Sequence, residues 1–279
     1  MYMSMCLQCL KSNLKDGLTI DIFELFYLTV ILNPMNTTHA FLKNTFDKNP
    51  SPIRFDDFIE SVRNGTYSAT VHKIRQFVVD MDDSQLSKSQ LAKMKQQLPG
   101  IVPALCYTPG DRTGGELSGI LCVDYDSLFV QTCQEFKDAL AQCGSKHLLA
   151  AFTSVSGKGV AAFYRYKIAC FDFVDKVDNS TLWIEDGHAS HSVMFQNAPG
   201  ANFDCIMAAL LNAKLMLPGY DRLVKDFSRL RFVSHDSDLF YNSEAEPVGI
   251  NVHLEKAVPQ GKKKPIYTFS ATLDSISYG

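Results

Sequence analysis

The residues best suited to chemistry stand at the end of an apolar run. Glu116 to Asp126, ELSGILCVDYD, closes on Asp124 and Asp126 with a single residue between them. On a strand alternate side chains share a face, so the two carboxylates point the same way, roughly 6–7 Å apart along the chain. Two like charges at the end of a buried strand are costly unless metal, hydrogen bonds or water compensate them. The pair suits ligation of a divalent cation. It suits equally well a strand that simply ends in a solvated loop before a helix at Ser127.

A second stretch, Ser154, Val155, Ser156, Gly157, Lys158 and Gly159, links two strand-like runs. Its glycines permit close backbone approach, and Ser154, Ser156 and Lys158 set hydroxyls and a cation beside exposed amides, a combination able to cradle phosphate. The spacing is not that of a Walker loop, and a strand rather than a helix follows. A hairpin turn with Lys158 in solvent accounts for the same residues.

The third stretch is Asp226 to Asn242, DFSRLRFVSHDSDLFYN. If Arg229 to Ser234 forms a strand, Arg229, Arg231 and Val233 share one face while Leu230 and Phe232 take the other. Paired guanidinium groups suit a triphosphate through bidentate hydrogen bonds, or a solvated face balanced by nearby acids. His235, Asp236 and Asp238 read most simply as a polar turn.

These stretches need elements to hold them. Ile20 to Leu32 is too apolar for an exposed helix and too short to span a bilayer, and reads as a buried helix ended by Asn33 and Pro34. Thr37 to Asp47 and Phe55 to Arg63 read as two more helices, closed by Asn64 and Gly65. The expected division is a helical N-terminal unit over 1–65 and a second domain over 66–279. Ser68 to Val79 and Ser84 to Gln97 continue as helices, the latter with a serine cap. From Ile101 strands and helices interleave: the strand bearing Asp124 and Asp126, a helix over Leu128 to Gln142, strands over His147 to Thr153 and Val160 to Tyr166, a helix over Asn202 to Leu217, and strands at Arg229 to Ser234 and Ile250 to Leu254. That alternation indicates an α/β (α+β) sheet domain with helices on one face, leaving the other face for a site.

A chain of 279 residues with 46 % apolar content can bury a sizeable core. No run is long enough for a membrane span, and the N-terminal residues lack a secretory pattern, so the expected location is cytoplasmic, with no membrane partner. Most of the eight cysteines lie in apolar or helical surroundings, as reduced core residues do. Cys6 and Cys9 form a lone C-x-x-C without a second ligand pair for zinc. A net charge of −3 excludes a generally basic nucleic-acid binder but leaves room for local basic clusters, Arg222 to Arg231 and Lys262 to Lys264.

Taken in order, D-x-D, S-x-S-G-K-G and D-x-x-R-x-R before an apolar strand are sharper than any one of them. With KMKQQLPGIVPALCYTPGDR, FTSVSGKGVAAFYRY, His191 and SRLRFVSHDSDLFYN, over about residues 68–245, the sequence resembles the VirE N-terminal and BT4734-like domains of the archaeo-eukaryotic primase-polymerase superfamily. The resemblance implies an RRM-like primase-polymerase catalytic core, preceded here by the helical unit. It implies Asp124, Asp126 and Asp226 as catalytic metal ligands for Mg²⁺ or Mn²⁺, with Ser154, Ser156, Gly157, Lys158, Gly159, Arg229 and Arg231 around the nucleotide. The implied activity is template-dependent nucleotidyl transfer, DNA primase or polymerase chemistry in the replication of a mobile element, phage or plasmid. The implied partners are a single-stranded DNA template, nucleoside triphosphates and a replicative helicase. Many members of the superfamily carry His where this chain has Ala161, two residues after the second glycine of the turn. The alternative is a non-catalytic single-stranded nucleic-acid-binding module that keeps the fold.

Overall fold

In the computed structural model the sheet is built around one long strand. The structure describes residues 37–111, 116–126, 132–144, 146–175, 180–185, 199–221, 227–258 and 266–273, all within one compact unit over 37–279. The readings made for Ile20 to Leu32, Cys6 and Cys9, His191, Arg222, Asp226 and Lys262 to Lys264 lie outside the described residues.

The long strand is β6 (Gly159–Asp175). Its first half lies between β4 (Ile120–Asp126) and β5 (Leu148–Thr153), both antiparallel to it. Its second half pairs in parallel with β10 (Val248–Ala257) and antiparallel with β7 (Ser180–Glu185). With β9 (Phe240–Tyr241) beside β5 and β11 (Ile266–Leu273) beside β10, this makes a seven-stranded sheet. A smaller sheet runs in the order β2 (Ser51–Arg54), β1 (Thr38–Leu42), β3 (Gly100–Val102), β8 (Arg231–Phe232). The helices are α1 (Phe55–Arg63), α2 (Ser68–Asp80), α3 (Gln85–Gln96), α4 (Cys133–Gly144) and α5 (Pro199–Asn212). The expected mixed α and β class is what the described residues form.

Period-2 alternation decides which core each strand residue joins. Leu121, Val123 and Tyr125 of β4 and Ala162, Tyr164 and Tyr166 of β6 turn toward α4 and α5, where Phe136, Leu140, Phe203, Ile206 and Leu210 cover them. Ile120 and Cys122 of β4, Phe152 of β5 and Ala161 and Phe163 of β6 turn the other way, onto α1. The expectation of a sheet covered on one face only is therefore corrected. Its second face carries too much apolar surface to stay open, and α1 closes it. Asp124 and Asp126 continue that second face past the end of its apolar core.

The same packing corrects the domain boundary at residue 65. Phe55, Phe58, Ile59 and Val62 of α1, at helical spacing, are at most 1 % exposed and share one cluster with Ile120, Phe152 and Phe163. Burying each such side chain contributes about 1.5–3 kcal/mol, which ties 55–63 to the sheet rather than to a separate unit. The helix expected over Thr37 to Asp47 is also corrected: Thr38–Leu42 is a strand, antiparallel to β2 and β3. Ala40 and Leu42 alternate into the core, and Pro52 is accommodated because β2 is an edge strand.

Helices α2 and α3 form a pair over a third cluster, in which Val71, Ile74 and Val78 meet Leu98 and Val155. The expected serine cap is present: Ser84 Oγ accepts the Ser87 N–H at 3.2 Å. Among the described residues no helix is long and apolar enough to cross a membrane.

Candidate functional site

Register sets the site. In the β4–β6 pair Asp124 stands opposite Ala161 and Asp126 opposite Gly159, so the two acids flank the first residues of β6, immediately after the SVSGKG turn. That turn is a tight link in which Ser154 N–H donates to the Gly159 carbonyl at 2.8 Å and Gly157 N–H to the Ser154 carbonyl at 2.9 Å. Gly157 sits at φ +74°, in the left-handed region. Gly159 is required for a different reason: a Cβ there would lie 2.4 Å from the Tyr125 carbonyl oxygen and 3.0 Å from Asp126 Oδ1. Only glycine lets the acidic end of β4 lie this close to the turn.

Asp124, Asp126, Ser154, Ser156, Ala161, Arg229 and Arg231 line one cleft of about 710 Å³, together with Thr45 and with Ala92, Lys95 and Gln96 of α3. Phe152 and Ala161 supply apolar wall. Four of the expected nucleotide-binding residues thus meet the two expected acids. Gly157 and Gly159 shape the turn. Lys158 departs from expectation: it is not among the residues lining the cleft, and its Nζ donates to the Val78 carbonyl at 3.5 Å. The C-terminal end of α2, with its partial negative charge, attracts it there.

The two arginines differ. The expected strand over Arg229 to Ser234 is only Arg231–Phe232, because its partner β3 is three residues long and pairs through Gly100↔Phe232 and Ile101↔Arg231 alone. Arg229 precedes the strand and is exposed. Arg231 is 7 % exposed; its Nη1 donates to Asp124 Oδ2 in a short ion pair, and its Nη2 donates to the Cys122 carbonyl at 3.4 Å. Its buried Nε has no partner. Burial works against the guanidinium charge, yet the groups around it hold Arg231 above its ordinary value. Burial also pushes the Cys122 thiol up to about 12, so Cys122 is neutral and Asp124 is the operative counter-charge.

Asp126 is in the opposite situation. Burial, and then the Asp124 charge, raise its carboxyl above the usual range; Asp221 adds to the rise, while Lys95 and Arg231 oppose it. Neither Lys95 nor Asp221 stood out in the sequence. Lys95 belongs to a helix read only for its cap. Asp221 is held beside the pair by its own backbone, whose N–H donates to the Asp124 carbonyl at 2.8 Å, a contact no local pattern announces.

His235, Asp236 and Asp238 form a turn anchored in the interior. Asp236 Oδ2 accepts Lys137 Nζ at 2.7 Å and the Thr153 N–H at 2.7 Å. The Lys137 and Asp236 side chains are 3 % and 9 % exposed. Arg75 Nη2 donates to the carbonyls of Ser154 at 3.2 Å and His235 at 2.9 Å. Together Lys137, Asp236 and Arg75 fix the start of the SVSGKG turn against the segment that follows β8. Asp236 is thus spoken for and does not join the acidic pair.

A family model for the BT4734-like, N-terminal domain matches residues 93–241. The chain belongs to this family. In this BT4734-like domain the matched span begins within α3 and ends with β9, so it holds the acidic pair, the turn and both arginines. Strands β1 and β2 and helices α1 and α2, which complete the core, precede it, as do Thr45 and Ala92 of the cleft. No curated protein and no solved structure matches the chain.

Proposed function

We propose that the cleft carries out template-dependent nucleotidyl transfer with Mg²⁺ or Mn²⁺, in the manner of the primase-polymerase superfamily. The observation that carries this reading is the meeting, in one cleft, of two carboxylates on a strand end, a serine- and glycine-bearing turn and two arginines. The donor set fits such a cation in kind: both acids offer hard oxygen, one Asp124 oxygen is not engaged by Arg231, and Asp126 is raised by burial and a neighbouring like charge that a cation would offset. Magnesium is commonly held by one or two carboxylates with substrate phosphates completing the shell. Asp124 and Asp126 would hold it; Asp226, outside the described residues, is the third ligand expected from the resemblance.

Ions held there would lower the cost of deprotonating the attacking 3′-hydroxyl and would stabilise the charge on the pyrophosphate that leaves as the new bond to the α-phosphorus forms. The chain's own residues do the rest. Exposed Arg229 neutralises phosphate oxygens. Ser154 and Ser156, whose hydroxyls lie 3.0 Å apart, offer the turn's polar edge to the same phosphates. Phe152 and Ala161 exclude water from one wall. Arg231, fixed on Asp124, holds that carboxylate's orientation rather than gripping the triphosphate. Ala161 leaves room where a histidine would contact the nucleotide.

Two observations favour the non-catalytic single-strand-binding reading: Asp124 already has a cationic partner, and among the described residues no third His, Cys, Asp or Glu completes a metal-holding group. Crystals soaked with Mn²⁺ and a nucleoside triphosphate separate the two. Anomalous density on Asp124 and Asp126, bridged to phosphate, supports transfer chemistry. Nucleotide without metal at the acids, or neither, favours the binding module.

A further inference from the structure

Between β1 and β2 the chain makes a loop, residues 43–50, whose tip is Phe46, 63 % exposed. The loop is fixed by its own polar groups. Asp47 accepts the backbone N–H of Lys43 at 2.9 Å and of Asn49 at 3.0 Å, and the Phe46 N–H donates to Asn44 Oδ1 at 2.9 Å. The Asp47 carboxyl is lowered, first by the Lys43 N–H bond and then by that of Asn49, so it stays ionised and keeps the loop tied. The loop also abuts the cleft: Thr45, next to Phe46, lines it and donates its N–H to the Gln96 carbonyl at the end of α3 at 3.0 Å. A large aromatic is thus displayed to solvent, on a tethered loop, at the rim of the cleft.

Cations accompany it. Lys43 and Lys48 on the loop are exposed. On α3, Lys88, Ala92 and Lys95 are spaced i, i+4, i+7 and share one helix face; Ala92 and Lys95 line the cleft, and Lys88 carries the same face one turn outward. The net charge of the chain is −3, so this basic strip stands against the overall balance. An exposed aromatic beside a line of lysines is the chemistry that holds single-stranded nucleic acid, bases stacking on the ring and phosphates following the cations.

Resting on the reading of the cleft as a nucleic-acid site, we propose that Phe46 stacks a base of single-stranded DNA that runs along the Lys88–Ala92–Lys95 face of α3 into the cleft. The ring presents an open face, the tether limits the entropy lost on stacking, and Ala92 between the lysines leaves space for the sugar-phosphate chain.

The test is fluorescence anisotropy with a labelled twenty-nucleotide oligothymidylate and the full chain, in EDTA and without nucleoside triphosphate. Phe46→Ala should weaken binding roughly 5- to 100-fold and Phe46→Trp should retain it. Lys88→Gln should weaken binding modestly and flatten its salt dependence by about 0.7 in the log–log slope. Thermal melts of Phe46→Ala should match the parent, as expected for an exposed side chain, so lost binding is not lost folding. No binding by the parent chain, or equal binding by Phe46→Ala, overturns the proposal. So does a variant whose defect is confined to nucleoside triphosphate binding, since Phe46 would then serve the incoming nucleotide. Incorporation of nucleotides with template KM unchanged in Phe46→Ala would overturn this inference and leave the transferase reading standing. Phe46-dependent strand binding without any incorporation would do the reverse.

Discussion

Asp124, the first acid of the pair, is ion-paired to Arg231, which is buried and reaches it from the other sheet. The pair joins β4 of the seven-stranded sheet to β8 of the four-stranded one, so it is a structural tie as well as part of the cleft. The two acids are therefore unequal. Removing the Asp124 carboxylate strands a buried guanidinium, a loss of about 3–5 kcal/mol for a buried pair broken from one side. Removing Asp126 relieves a like-charge contact. Urea unfolding should show Asp124→Ala strongly destabilised and Asp126→Asn as stable as the parent or more so. Equal losses would contradict the asymmetry.

Gly159 should tolerate no side chain. The Cβ of Gly159→Ala would lie 2.4 Å from the Tyr125 carbonyl, a backbone atom that cannot rotate away. A cost of about 1–3 kcal/mol is expected from the forced shift, with displacement of Asp126. Gly157→Ala, strained by its positive φ but 3.4 Å or more from its nearest neighbours, should cost less. Chemical denaturation of both variants checks the order.

Much of this site is legible in the sequence, because its logic is local. The period of a strand puts Asp124 and Asp126 on one face, and two glycines with two serines specify a turn that can meet phosphate. The position of Arg231 is not legible. Its spacing from Arg229 suggests equivalent roles, but β8 pairs with β3 at only two positions, so one arginine is drawn inside and the other left in solvent. Likewise Thr38–Leu42 has enough apolar residues to pass for a helix. The decision is made by β2 and β3, its pairing partners on either side. Lys158 is drawn to the end of a helix, at the Val78 carbonyl eighty residues before it, which no nearby residue reveals.

The Lys137–Asp236 pair should behave as an anchor for the turn. Asp236→Ala leaves the buried ammonium with only the Asp238 carbonyl, 2.9 Å away, and should cost about 3–5 kcal/mol. Replacing both partners with apolar residues, Lys137→Met with Asp236→Leu, should recover much of it. Thermal denaturation of the single and double variants tests this; no recovery in the double variant would point to the Thr153 N–H bond as the main contribution.

His39, fully buried on β1, should impart a pH dependence to the stability. Burial pushes its imidazole from the ordinary 6.5 down to about 4. The unfolded chain then binds a proton that the folded chain refuses, so stability rises with pH. This contribution is complete above the ordinary value and is lost as pH falls through the window from 6.5 toward 4, about 3 kcal/mol in all. Urea midpoints measured at several pH values within that window should fall for the parent and fall less steeply for His39→Phe. Parallel curves would remove His39 as the cause.

Exposed Arg229 should matter to nucleotide more than to fold. Arg229→Ala should leave the melting temperature unchanged and weaken nucleoside triphosphate binding about ten- to a hundredfold, the worth of a hydrogen bond to a charged group. Calorimetric titration with Mn²⁺ present reads it. Unchanged affinity would place the phosphates elsewhere.

The central claim is metal-dependent nucleotidyl transfer in the cleft, and the direct measurement is incorporation of labelled nucleotide on single-stranded DNA, with and without a primer. Weak incorporation is expected that requires Mg²⁺ or Mn²⁺ and is abolished in Asp126→Asn, a variant expected to keep the fold. Absence of incorporation by the parent chain with either metal, or incorporation that persists in Asp126→Asn, would contradict it.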